Sequence, residues 1–132
     1  MTRAHTVDAA LVQSLASALV RRAEERQRRL DERKRTLREA AQRLARVLVA
    51  DGATRVWLVG SLAGQGGVVH ERSDIDLAVE GLANSDEWSL AGRLEVLAGV
   101  DVDVDVILLE RAPASFRDTI ATDGELLDVA PS

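Results

Sequence analysis

The stretch "LVGSLAGQGGVVHERSDIDLAVEGL", residues 58 to 82, decides how the rest of this chain is read. It begins inside "TRVWLVG" (54 to 60), a run of β-branched and large apolar residues that marks a buried strand. Glycines at 60, 64, 66 and 67 then interrupt the chain as a loop, and "DIDLAVEG" (74 to 81) resumes it as a second strand. Side chains alternate across a strand, so Asp74 and Asp76 share one face while Ile75 and Leu77 fill the other. A loop offering backbone amides and the Ser61 hydroxyl, followed by two carboxylates one residue apart, is an oxygen-rich place where phosphate and Mg²⁺ can meet.

Working outward, "VDVDVILLE" (102 to 110) is a third strand. Asp101, Asp103 and Asp105 alternate with valines on it, and three carboxylates on one face repel unless water or a cation compensates. Asp101 reads as a strand-entry residue in water that also discourages edge pairing. "NSDEWSLAGRLEVLAG" (84 to 99) is a helix capped by Asn84 or Ser85. "APASFRDTIATDG" (112 to 124) is a short helix and "ELLDV" (125 to 129) a short edge strand. Strands interspersed with helices give an α/β (α+β) fold, a small mixed sheet with helices on it.

Residues 7 to 50 hold neither Gly nor Pro and consist largely of Ala, Leu, Arg, Glu and Gln, so they read as a helical arm capped by Thr6 or Asp8 and stopped by "DG" at 51 to 52. Unbroken, it runs about 66 Å, too long to lie wholly on its own body. Ala16, Ala23, Leu30, Leu37 and Leu44 recur every seven residues, but their companions Gln27 and Lys34 are polar. The stripe through Leu37, Ala41, Leu44, Val47 and Leu48 packs on the body. The apolar piece at 9 to 20 needs another surface, either a hairpin broken near Arg21 or a second protomer, the dimer being favoured because nothing marks a turn. The chain thus divides into an arm, 1 to 50, and a body, 51 to 132, with a homodimer through residues 7 to 48.

Arm and body differ in charge. Residues 1 to 50 carry 12 Arg or Lys against 6 Asp or Glu, whereas residues 51 to 132 carry 5 against 16. The arm's arginines are interleaved with Glu24, Glu25, Asp31, Glu32 and Glu39, so the first reading is a solvated helix laced with ion pairs and the second a nucleic-acid contact. There is no cysteine, hence neither a disulfide framework nor a thiolate metal site. No run reaches the roughly 18 apolar residues of a membrane span, and no signal peptide opens the chain, so a cytoplasmic protein of one compact body is expected. The aromatic residues Trp57 and Trp88 read as core or interface, His70 as a loop hydrogen-bonding residue rather than a ligand, and Ser73 as a brace before Asp74.

The string quoted at the outset, followed by "VDVILLERAP" (104 to 113), resembles the minimal nucleotidyltransferases of the polymerase-β superfamily, whose hallmark is Gly-Ser, then Asp-x-Asp, then one more Asp on a later strand. The resemblance covers roughly residues 50 to 129 and leaves the arm unexplained. It implies that Gly60 and Ser61 hold the triphosphate of ATP or another nucleoside triphosphate and that Asp74 and Asp76 ligate Mg²⁺. It places the third metal-binding carboxylate, and general base, at Asp105, with Asp103 as second choice. Gly64 stands where the family often has an arginine, and Arg72 is the basic residue that could substitute. Stand-alone members are often antitoxins that transfer AMP to a HEPN-type RNase toxin, which makes a partner protein the expected acceptor. The alternative is a binding module that keeps the fold, has lost catalysis and acts through its arm.

Overall fold

The computed structural model describes residues 8–64, 69–70, 72–127 and 129; Thr6, Val7, Gly66, Gly67 and Asp128, which entered the expectations above, lie outside them. The arm is one helix, α1 (Ala9–Ala50). Asp8 caps it, its Oδ1 accepting the Ala10 N–H at 3.0 Å, and the helix ends at Asp51, whose N–H donates to the Val47 and Leu48 carbonyls. With no Gly or Pro inside, nothing breaks the backbone hydrogen bonds, and the hairpin near Arg21 does not form. Its 42 residues span about 63 Å.

The body follows as β1 (Arg55–Val59), β2 (Ile75–Glu80), α2 (Glu87–Leu97), β3 (Val104–Leu108), α3 (Ala114–Asp123) and β4 (Glu125–Leu126), with single 3₁₀ turns at Gly60–Leu62 and Leu109–Arg111. The sheet order is β3-β2-β1-β4, β2 and β3 running parallel and the other pairs antiparallel, so the expected mixed sheet is present. The cap of α2 differs from expectation. Asp86, rather than Asn84 or Ser85, accepts from the Trp88 N–H at 3.1 Å and from the Ser89 hydroxyl at 2.9 Å, and as a carboxylate it also faces the positive end of the helix dipole.

The two faces of the sheet are covered unequally. Val56, Leu58, Ile75, Leu77, Val79, Val104, Val106 and Leu108 form one core with Leu37, Leu44 and Leu48 of α1 and Leu90 and Leu94 of α2. On the other face, Ala78 packs with Leu109 and Ile120 of α3, and Trp57 and Val59 join at its margin. Asp76 lies opposite Val59 on this second face, at the end of the sheet where that apolar cluster stops. Trp57 is therefore partly buried, as expected, whereas Trp88 is 88% exposed and belongs to no core.

Only the second half of α1 belongs to the body. Leu37, Ala40, Ala41, Leu44, Ala45 and Leu48 are buried, while Leu11, Val12, Leu15, Leu19 and Val20 are exposed. Ala53 meets Leu48, Leu62 meets Arg38, and Asp101 meets Arg33, so α1 traverses the body toward the carboxylate-bearing end of the sheet and then passes beyond it. No helix among the described residues is long and apolar enough to cross a membrane.

Leu44→Ala removes a fully buried side chain from the shared core and is expected to lower the free energy of unfolding by about 2–5 kcal/mol. Val96→Ala, at an 82% exposed position on α2, is expected to shift it by no more than about 0.5 kcal/mol. Chemical denaturation of the two variants checks both, and equal effects would contradict the packing described.

Candidate active site

Register brings the carboxylates together. β2 and β3 are parallel neighbours with Asp76 paired to Asp105, so both side chains leave the same face of the sheet side by side. Asp74 immediately precedes β2, and the N–H of the intervening Ile75 donates to the Asp103 carbonyl at 3.0 Å, which aligns the entries of the two strands. Asp103 and Asp105 are exposed, while Asp74 and Asp76 are partly buried. The pairing of Asp76 with Asp105 is the structural difference between Asp105 and Asp103, although the charges of both act on Asp74.

The electrostatics are those of a crowded anionic pair. Burial raises the Asp76 carboxyl from 3.8 to about 6, reinforced by the charge of Asp105, by a hydrogen bond with it and by Asp74. Asp74 is also raised, first by burial and then by Asp103 and Asp105, with the Arg33 guanidinium of α1 opposing the shift. Among the described residues no three His, Cys, Asp or Glu side chains are gathered closely enough to hold a metal ion by themselves. The donor set is nonetheless hard oxygen throughout, and a pair of carboxylates completed by substrate phosphates is the usual arrangement for Mg²⁺. Asp76 with Asp105, and Asp74 beside them, are the residues that fit such an ion.

The Gly-Ser turn closes against this pair. Gly60 adopts φ +74°, and a Cβ there would fall 2.5 Å from Asp76 Oδ2, so only glycine allows the loop to approach the carboxylate. Ser61, partly buried, follows in the 3₁₀ turn that ends with the Ala63 N–H on the Gly60 carbonyl at 3.1 Å. Between this turn and α3 lies a cavity of about 270 Å³ lined by Val59, Gly60, Asp76, Ile107, Phe116 and Ile120 among others. Phe116 at its mouth is 37% exposed, and nothing in the local sequence around it pointed to this position.

A second group of residues escaped the sequence reading. Arg38 of α1 donates through Nη1 to the Leu62 carbonyl at 2.6 Å and through Nη2 to Glu125 Oε2 at 2.5 Å. Glu125 Oε1 in turn accepts the Gly64 N–H at 3.0 Å. Arm, loop and edge strand are tied in one bracket. The Arg38 hydrogen bond, with help from the Gly64 N–H and the charges of Arg38 and Lys34, holds the Glu125 carboxyl below its ordinary value. Arg72 is exposed on the turn leading into β2. Ser73 is buried and its Oγ accepts the His70 N–H at 2.7 Å, which fixes the bend before Asp74, while the His70 side chain is exposed.

Comparison with known proteins agrees with this geometry. The family model "Polymerase beta, Nucleotidyltransferase" matches residues 42–128, and the chain belongs to that family. A crystal structure of a toxin–antitoxin complex with AMP-PNP aligns with a TM-score of 0.56 at 28% identity, over 67% of this chain and 73% of that one. A mutant of the toxin–antitoxin complex MntA–HpeT, in which two aspartates one residue apart are replaced by glutamate, aligns with a TM-score of 0.52 at 28% identity, over 64% of this chain and 69% of that one. Among curated proteins no sequence matches significantly.

The raised Asp76 carboxyl has a signed consequence. A folded-state value near 6 against 3.8 means that the neutral form favours folding; this contribution is complete below 3.8 and is lost as pH rises through 6. In EDTA, Asp76→Asn is therefore expected to melt at a temperature close to the wild type near pH 4 and progressively above it toward pH 7. A melting difference that stays constant across this range would contradict the assignment.

Proposed function

We propose that this polymerase-β-type nucleotidyltransferase transfers a nucleoside monophosphate, AMP from ATP, to a hydroxyl group of a partner protein, and that the partner is a HEPN-type RNase toxin for which the chain is the antitoxin. The observation that carries this reading is the in-register pair Asp76–Asp105 standing against the Gly60–Ser61 turn, with Asp74 beside it. The two toxin–antitoxin neighbours, one with an ATP analogue and one altered at an aspartate pair with the spacing of Asp74 and Asp76, support it from outside the chain. ATP is a cytoplasmic substrate, which makes the cytoplasm the proposed location.

In the proposed reaction the Gly60–Ser61 turn and Arg72 hold the triphosphate, and the acceptor oxygen attacks the α-phosphorus in line. The new O–P bond forms as the bond to the pyrophosphate oxygen breaks, so pyrophosphate leaves, and the acceptor proton passes to the Asp105 carboxylate. Mg²⁺ held by Asp74, Asp76 and Asp105 would neutralise the charge developing on the attacking and leaving oxygens. The close approach of Gly60 to Asp76 would set a triphosphate on this turn against these carboxylates.

One observation favours a second reading, a binding module without catalysis. The Gly64 N–H, an amide that the phosphate loop could offer, is already taken by Glu125, and Arg38 is engaged with Leu62 and Glu125. Calorimetric titration separates the two, since Mg²⁺ and ATP bind with dependence on Asp74 in the enzyme and hardly at all in the module.

Co-expression with a HEPN-type toxin, followed by intact-mass analysis, is expected to show the toxin heavier by one or more adenylyl groups. Asp105→Asn is expected to slow transfer about 10²–10⁴-fold, as for loss of a general base. An unmodified toxin in the presence of ATP and Mg²⁺, or transfer unaffected by this substitution, would sink the enzymatic reading.

A further inference from the structure

The free half of α1 raises a question that the catalytic reading leaves open. The stripe of α1 that packs on the body does not end where the body ends. From Leu37 it continues toward the N-terminus at intervals of three and four through Arg33, Leu30, Arg26, Ala23, Leu19, Leu15 and Val12, on the same side of the helix. Leu37 is fully buried, yet Val12, Leu15 and Leu19 are 48%, 55% and 62% exposed, with Leu11 and Val20 beside them at 54% and 55%. Residues 9 to 20 carry no charge at all. A helix of this length projecting into water with an uncovered apolar face is poorly supported by propensity alone, so its face calls for a partner.

We propose that this partner is a second copy of the chain, the two arms packing antiparallel about a two-fold axis near Ser17. The pattern is self-complementary about that point. Leu15 meets Leu19 of the other copy, Leu11 meets Ala23, and Asp8 meets Arg26, so the apolar stretches cover one another and opposite charges face at the ends. The parallel arrangement would instead bring Arg26 against Arg26 in the seam, a like-charge penalty that the antiparallel one avoids. The apolar stripe over residues 37–48 takes no part because Leu37, Ala40, Ala41, Leu44, Ala45 and Leu48 are buried in their own body, which confines the contact to residues 8–26 rather than the 7 to 48 read from sequence. Since α1 leaves the body at the carboxylate-bearing end of the sheet, this pairing turns both candidate sites toward the joined arms. The proposal does not depend on catalysis.

Light scattering on the full chain without any partner, at tens of micromolar, is expected to give about twice the 14.3 kDa of one copy. Combining Leu15→Glu with Leu19→Glu is expected to give a monomer whose body still melts cooperatively. Because the chain contains no cysteine, the direction of packing can be read by oxidation: Leu11→Cys chains mixed with Ala23→Cys chains are expected to crosslink, and Leu11→Cys chains alone are not. A monomeric wild type would overturn the proposal, including the case in which the arm becomes protected from proteolysis only when the co-expressed toxin is present. So would a dimer that survives both glutamates, or self-crosslinking of Leu11→Cys, which marks parallel arms.

Discussion

The placement of Asp76 directly beside Asp105, on neighbouring parallel strands, is the constraint around which the rest of this molecule is arranged. Two carboxylates forced onto one partly buried face cannot both ionise freely, and burial pushes the Asp76 carboxyl up to about 6 with the Asp105 charge adding to the effect. A fold selected for stability alone would fill these positions with the valine and leucine found elsewhere on the strands. Keeping them acidic makes sense for a surface completed by something positive, and the hard oxygen donors match a divalent cation carrying phosphate.

The unequal covering of the sheet makes such a pair tolerable. One face is sealed by α1 and α2 over a continuous apolar core, which supplies the stability of the domain. The other is covered by α3 only where Trp57, Val59, Ala78 and Ile120 meet, and this leaves Asp76 and Asp105, at the starts of β2 and β3, outside the apolar cluster. The helix that seals the first face also reaches around to the second. Arg33 holds the Asp101 carbonyl and moderates the shift of Asp74, and Arg38 ties the Gly-Ser loop to Glu125. A basic arm joined to an acidic body is thus partly an internal arrangement, with arm cations placed at the anionic end of the sheet.

Much of this was legible in the sequence because the signals were local. Alternation of Ile75, Leu77 and Val79 with Asp74 and Asp76 gave β2 and its face, and the absence of Gly and Pro gave α1 as a helix. The preference for Asp105 over Asp103 came from family resemblance, and the strand register sets Asp105 beside Asp76. The unread features depend on distance along the chain. Arg38 and Glu125 stand 87 residues apart, so neither looked different from other surface charges. Phe116 sits on α3 beside the cavity only because the chain returns there after β3, and Trp88 is exposed because it lies two residues before the buried Leu90, on the opposite side of α2. Apolar character alone predicts burial on average and fails for single residues.

The most direct measurement is a titration of the Asp76 carboxyl carbon by NMR, with and without Mg²⁺. The metal-free protein is expected to show an apparent value near 6, and Mg²⁺ should carry it below the ordinary range for aspartate by favouring the ionised form. A value near 3.8 that Mg²⁺ leaves unmoved would mean that Asp76 and Asp105 are ordinary surface carboxylates, and that the site is not built to hold a cation.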